Sequence, residues 1–177
     1  MTREEATSIA SSSGFSHWGM FAVSDLQFRP EVREMCAADQ CGRYGKTWSC
    51  PPACGGLEEA REIAAGFTWG IVLQTTAELE DDFDVETMMD AERRQKERLD
   101  AFVDALDAGA GRLVMSAGTC TRCEKCTCPD APCRFPEKLF VSMEAYGLVV
   151  SEVCASAGIP YSYGPGTITF SGCVLFA

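Results

Sequence analysis

The chain has 177 residues, 46% hydrophobic and 23% charged, which suits one packed domain over residues 1–177 and is too short for two ordinary ones. Its formal net charge of −11 repels phosphate backbones, so nucleic acid is not expected as a partner. No run approaches the ~18 apolar residues of a membrane span. Eleven cysteines against the single histidine, His17, point to a secreted disulfide framework or to metal. Residues 1–10 read MTREEATSIA, with two acids and no apolar run, so no secretory signal is expected and the protein is assigned to a reducing cytoplasm. There the thiols are expected to meet metal. Their odd number also leaves one over in any scheme made only of disulfides.

Taken in chain order, residues 2–12 are expected to form a short exposed helix and residues 20–23 a short strand. Pro30 opens a helical turn that passes Val32 and Met35 and delivers the chain to Cys36. Residues 36–56 read CAADQCGRYGKTWSCPPACGG, where four glycines and two prolines exclude regular structure over most of the length. Metal ligation is one physical way to hold so long a loop together. A helix over 57–65, a buried strand over 68–76 and a long helix over 84–108 follow. The long helix carries an apolar stripe of Phe83, Val85, Met88, Leu99, Phe102, Val103 and Leu106. The acidic residues 78–82 before it suit the helix N-terminus, where they complement the dipole. Residues 112–115 read as a strand and 117–137 as a second cysteine-rich loop. Residues 142–157 read as mainly helical with an interruption at Gly147, and Gly158 ends them. Residues 161–163, the turn Gly164-Pro165-Gly166 and residues 167–176 read as a closing β-hairpin. The sum is an α+β fold with a small mixed or antiparallel sheet, helices on one side, and two cysteine-rich metal-binding loops.

The second cysteine group carries the sharper signal: Cys120-x2-Cys123-x2-Cys126-x-Cys128-x4-Cys133. Three cysteines at steps of three are the opening of a bacterial ferredoxin motif, in which the chain places a thiolate on a new corner of a four-iron cluster at about every third residue. Cys133 is then the expected fourth ligand. The gap before it is longer than in ferredoxins, and Pro136 is not adjacent to it. Zinc sites instead use two cysteine pairs set a dozen or more residues apart, around one point. Cys128 is an extra thiol, read as free.

The first group is Cys36-x4-Cys41-x8-Cys50-x3-Cys54, which matches no common zinc finger and is read as the frame of a second cluster. Gly42 and Gly45 let the backbone approach a bulky cofactor. Arg43 and Lys46 either compensate the charge of the thiolates or are ordinary solvated charges. Tyr44 and Trp48 either shield a cluster from water or pack in the core. Exchange of Cys133, Cys36 or Cys54 between the groups is open. Cys154 and Cys173 lie in apolar segments and are read as buried small hydrophobes. His17 is read as structural or exposed. No nucleophile constellation and no glycine-rich nucleotide fingerprint is present.

The stretches CGRYGKTWSCPPACG, CTRCEKCTCPDAPCRFPEKLFVSMEAYGL and YSYGPGTITFSGCVLF together resemble one family, a cysteine-rich domain of unknown function (2284) described as predicted metal-binding proteins of anaerobic bacteria and archaea. The resemblance covers about residues 20–176. It implies ligands at Cys36, Cys41, Cys50, Cys120, Cys123, Cys126 and Cys133. Cys54 falls at a more variable position, and Cys128 stands where an aromatic residue is usual. It implies metal and no particular reaction. The expectation is an electron-transfer module in anaerobic metabolism, holding two [4Fe-4S] clusters and docking a redox partner protein on its acidic surface. The alternatives are a redox enzyme or subunit whose first cluster has an open iron site, and a structural zinc module.

Overall fold

The computed structural model describes residues 1–106 and 111–177. Helix α1 (Arg3–Ser12) begins in a capping box, where the Thr2 hydroxyl accepts from the Glu5 N–H and the Glu5 carboxylate accepts from the Thr2 N–H. Strand β1 (His17–Ala22), helix α2 (Pro30–Ala37), helix α3 (Leu57–Ala64), strand β2 (Trp69–Glu78) and helix α4 (Val85–Asp104) follow. Strands β3 (Arg112–Ser116) and β4 (Val141–Ser142), helix α5 (Val150–Ser156) and strand β5 (Thr167–Phe176) complete the order. The five strands form one sheet, β1-β2-β5-β3-β4, antiparallel except for the parallel pair β3/β4. The α+β class and the mixed sheet are as the sequence indicates. Among the described residues no helix is long and apolar enough to cross a membrane.

The helices do not share one side of the sheet. Side chains alternate between faces along a strand, and alternate residues of the central strands enter two different clusters. Ile71, Leu73, Val174 and Phe176 pack with Ala6 and Ala10 of α1 and Leu99 and Phe102 of α4. Val72, Cys173 and Leu175 pack with Ala60 and Ala64 of α3 and Val153 and Cys154 of α5. Near-continuous apolar runs on β2 and β5 are the signature of strands covered on both faces. The apolar stripe of α4 also begins later than expected. Phe83 and Val85 are 87% and 57% exposed, and the buried line runs through Ala91, Gln95, Leu99, Phe102 and Val103. The helix ends at Asp104; the expected extension past residue 106 falls outside the described residues.

Two expectations near the C-terminus fail for physical reasons. Residues 161–163 are not a strand, because β5 finds partners on both of its sides in β2 and β3. The Tyr163 ring instead stacks on His17 at 3.9 Å, and its hydroxyl donates to the buried Gln74 at 2.8 Å. The helix expected over 142–157 is confined to α5. Before it, Gly147 at φ 83 turns the chain so that Leu148 bridges to Phe28. A Cβ at Gly147 would stand 2.4 Å from Leu57 Cδ1 and 3.2 Å from the Arg29 carbonyl. Gly147→Ala is therefore expected to destabilise the protein by about 1–3 kcal/mol, seen as a lowered midpoint in thermal unfolding followed by circular dichroism.

Candidate metal centre

The parallel pair β3/β4 brings the two cysteine loops together. Ser116 pairs with Ser142, so both strands end at the same edge of the sheet. Beyond Ser116 the chain runs through Thr119 into Cys120, and beyond Ser142 it turns at Glu144 and Ala145. The loop between α2 and α3 packs against both exits. The Cys120 N–H donates to Ser49 Oγ at 2.9 Å, the Trp48 indole N–H to the Ala131 carbonyl at 3.1 Å, and the Cys50 thiol to Thr119 Oγ1 at 3.3 Å. Thr47, Ser49 and Thr119 form a hydroxyl cluster with mutual distances of 3.3 Å. Thr47 and Ser49 are buried within it. One hydrogen bond and one peptide unit thus separate a sulfur of the first group from the first cysteine of the second.

In the first group, Cys36 lies within electrostatic reach of Cys41 and Cys50, and Cys54 within reach of Cys50. The Cys36 thiol faces the Glu144 carbonyl at 4.0 Å and the Cys54 thiol the Ala145 carbonyl at 3.9 Å. Burial pushes both thiols up from their ordinary values, and the nearby Arg33 guanidinium pulls them back. Cys41 is exposed. Gly42 and Gly45 adopt φ 68 and 67, the left-handed region in which glycine is favoured. Among the described residues, no atom beyond its own chain neighbours lies within 4 Å of a Cβ placed on Gly42.

In the second group, Cys120, Cys123, Cys126 and Cys133 line one narrow pocket together with Trp48, Arg122, Arg134 and Phe135. Cys128 is not part of this lining. It is buried, faces the Gly45 carbonyl at 3.8 Å, and burial pushes its thiol up. Cys128→Ala is accordingly expected to leave the metal content per chain unchanged, measured by elemental analysis beside Cys120→Ala. Among the described residues no three His, Cys, Asp or Glu side chains are grouped so that they could hold a metal ion; the thiols line a pocket and do not converge on a point.

The remaining sequence candidates take distinct places. Lys46 pairs with Asp39 at 3.6 Å and donates to the Gly42 carbonyl at 3.0 Å. Arg43 is exposed, and Tyr44 is half-buried with its N–H on Asp39. Trp48, a residue of the first loop, lines the pocket of the second group. Cys154 and Cys173 are fully buried in the core and line neither loop.

Sequence reasoning missed three arginines. Arg33 lies one helical turn before Cys36 on α2 and donates to the Gly55 carbonyl at 2.7 Å and to the Ala145 carbonyl, with Cys54 Sγ at 3.9 Å. The i, i+3 spacing on a helix was the available signal. Arg122, inside the second motif, forms a two-pronged pair with Asp100 of α4, donates to the Lys138 carbonyl and lies over the Phe140 ring at 5.2 Å. Arg134 lines the pocket and donates to the Lys125 carbonyl at 2.9 Å.

The donor chemistry fits soft metal. The four thiols of the second pocket, with no imidazole and no carboxylate in its lining, select zinc, copper(I) or iron–sulfur groups over hard cations. No curated protein and no solved structure shows significant similarity to the chain. One family's sequence model matches residues 19–176, and its description is predicted metal-binding protein (DUF2284). With the match covering nearly the whole chain, including both cysteine loops, the chain belongs to this predicted metal-binding family.

Proposed function

We propose that residues 1–177 work as one metal-binding unit that holds two [4Fe-4S] clusters and passes electrons to a redox partner protein in a reducing compartment. The first set of ligands is Cys36, Cys41, Cys50 and Cys54; the second is Cys120, Cys123, Cys126 and Cys133. The observation that carries this reading is the pocket whose lining takes the four cysteines of the C-x2-C-x2-C…C pattern and omits Cys128. Such clusters supply reversible one-electron reduction. Arg134 places positive charge beside the second thiol set, where Arg122 is paired with Asp100, and Trp48 lines the same pocket. The hydroxyl cluster of Thr47, Ser49 and Thr119 holds the two thiol sets side by side, which favours passage between them. The acidic chain, at −11, suits a basic docking surface on the partner. Potentiometric titration of anaerobically purified protein tests the reading. Two reversible one-electron waves are expected, and a chain with no reducible centre rules out electron transfer.

Two other readings each have an observation behind them. The free space between the second thiols is only about 20 Å3, roughly one water's worth. A structural zinc would need the sulfurs merely to draw in, whereas a four-iron core needs the loop to spread. Separately, a cavity of about 400 Å3 between α4 and the second loop is lined by Met89, Lys96, Asp100, Cys120, Arg122 and Phe140. That size admits a small molecule, and its sharing of Cys120 with the thiol pocket supports a redox enzyme.

A further inference from the structure

We propose that Arg33 is a positioning residue for the first thiol group: a fixed cation against Cys54 that offsets thiolate charge and raises the reduction potential of a cluster held there. This rests on the iron–sulfur reading above. Pro30 starts α2, and the helix sets Arg33 and Cys36 three residues apart on one face. The guanidinium is held by main-chain acceptors on two sides. Nη2 donates to the Gly55 carbonyl at 2.7 Å, and Nη1 to the Ala145 carbonyl, with the same Nη1 3.9 Å from Cys54 Sγ.

The other two cations of the first group are placed differently. Lys46 is paired with Asp39, and Arg43 is exposed. Arg33 forms no ion pair with a carboxylate among the described residues, so its charge is directed at the sulfurs. When the thiols are deprotonated as ligands, the Glu144 and Ala145 carbonyls lose their sulfur donors and the guanidinium remains one. It cannot itself deprotonate near neutral pH. A permanent cation at this distance stabilises the more negative, reduced state more than the oxidised one, and net charge and hydrogen bonds to sulfur are what set cluster potentials.

The test compares wild type, Arg33→Met and Arg33→Lys as full-length chains purified without oxygen. Iron and acid-labile sulfide are counted, and both reduction waves are followed by EPR during a potentiometric titration. The expected result is that one wave of Arg33→Met moves to more negative potential while the other stays, and that Arg33→Lys recovers most of the shift. Loss of half the iron from Arg33→Met with full loading of Arg33→Lys also supports a role for the charge. Full loading of Arg33→Met with both waves unmoved overturns the role of Arg33 alone, as does equal iron loss from both variants, which would mark a merely structural fork. Wild type without sulfide overturns the iron–sulfur reading and this proposal with it.

Discussion

Replacing Cys123 by serine is expected to remove about half of the bound iron and sulfide, from about eight of each per chain to about four. The reason is geometric. Cys123 lines the second pocket with Cys120, Cys126 and Cys133, while Cys36 and Cys54 lie outside it, near Arg33. The fold should survive, because both apolar clusters are built on the sheet and Cys123 belongs to neither. Elemental analysis, sulfide assay and far-ultraviolet circular dichroism on one sample check all three statements. Loss of all iron with retained secondary structure would show that the groups assemble as one site; loss of none would remove Cys123 from the ligand set. Cys154→Ser serves as a control that should keep full metal content, at the cost of a polar atom in the core.

Phe102→Ala is expected to lower stability by about 3–5 kcal/mol, the range for deleting a fully buried aromatic, without changing the metal bound per folded chain. Phe102 is fully buried on the inner face of α4, edge-on to Phe15 with ring centroids 6.3 Å apart. In a chain of this size that loss corresponds to a fall of very roughly 6–20 °C in Tm, read by scanning calorimetry of the loaded protein. The helix also reaches the second loop, through the Asp100–Arg122 pair and through Lys96, which donates to the Thr119 carbonyl at 3.0 Å. A small drop in Tm would mean that the site around Phe102 collapses or that the metal loops, and not the sheet core, dominate stability.

Much of this organisation is legible in the residues. The steps of three mark Cys120, Cys123 and Cys126 as one group, and the resemblance sets Cys128 apart from it; the structure places Cys120, Cys123, Cys126 and Cys133 along one pocket and buries Cys128 outside it. The burial of Cys154 and Cys173 follows from their apolar neighbours. The elements were readable wherever periodicity was strong, as in β2 and the body of α4. What the residues do not disclose is long-range. Nothing in the run 161–176 says that β5 will insert between β2 and β3, since pairing is decided by strands roughly 50 to 100 residues away. The apolar residues of 141–148 suit a helix, yet they are buried by a short strand and a turn at Gly147, a backbone choice the hydrophobic pattern cannot encode. For the same reason the meeting of the loops was hidden. It follows from the parallel register of β3 and β4, which puts Ser49 beside Cys120 and sends Trp48 into the pocket of the other group.

The most direct test of the account is the iron and acid-labile sulfide content of the wild-type chain purified without oxygen, with its visible and EPR spectra. The prediction is about eight irons and eight sulfides per chain, with a broad visible absorption that bleaches on reduction by dithionite. A colourless chain with stoichiometric zinc and no sulfide would contradict it, and would make the two loops a structural metal scaffold.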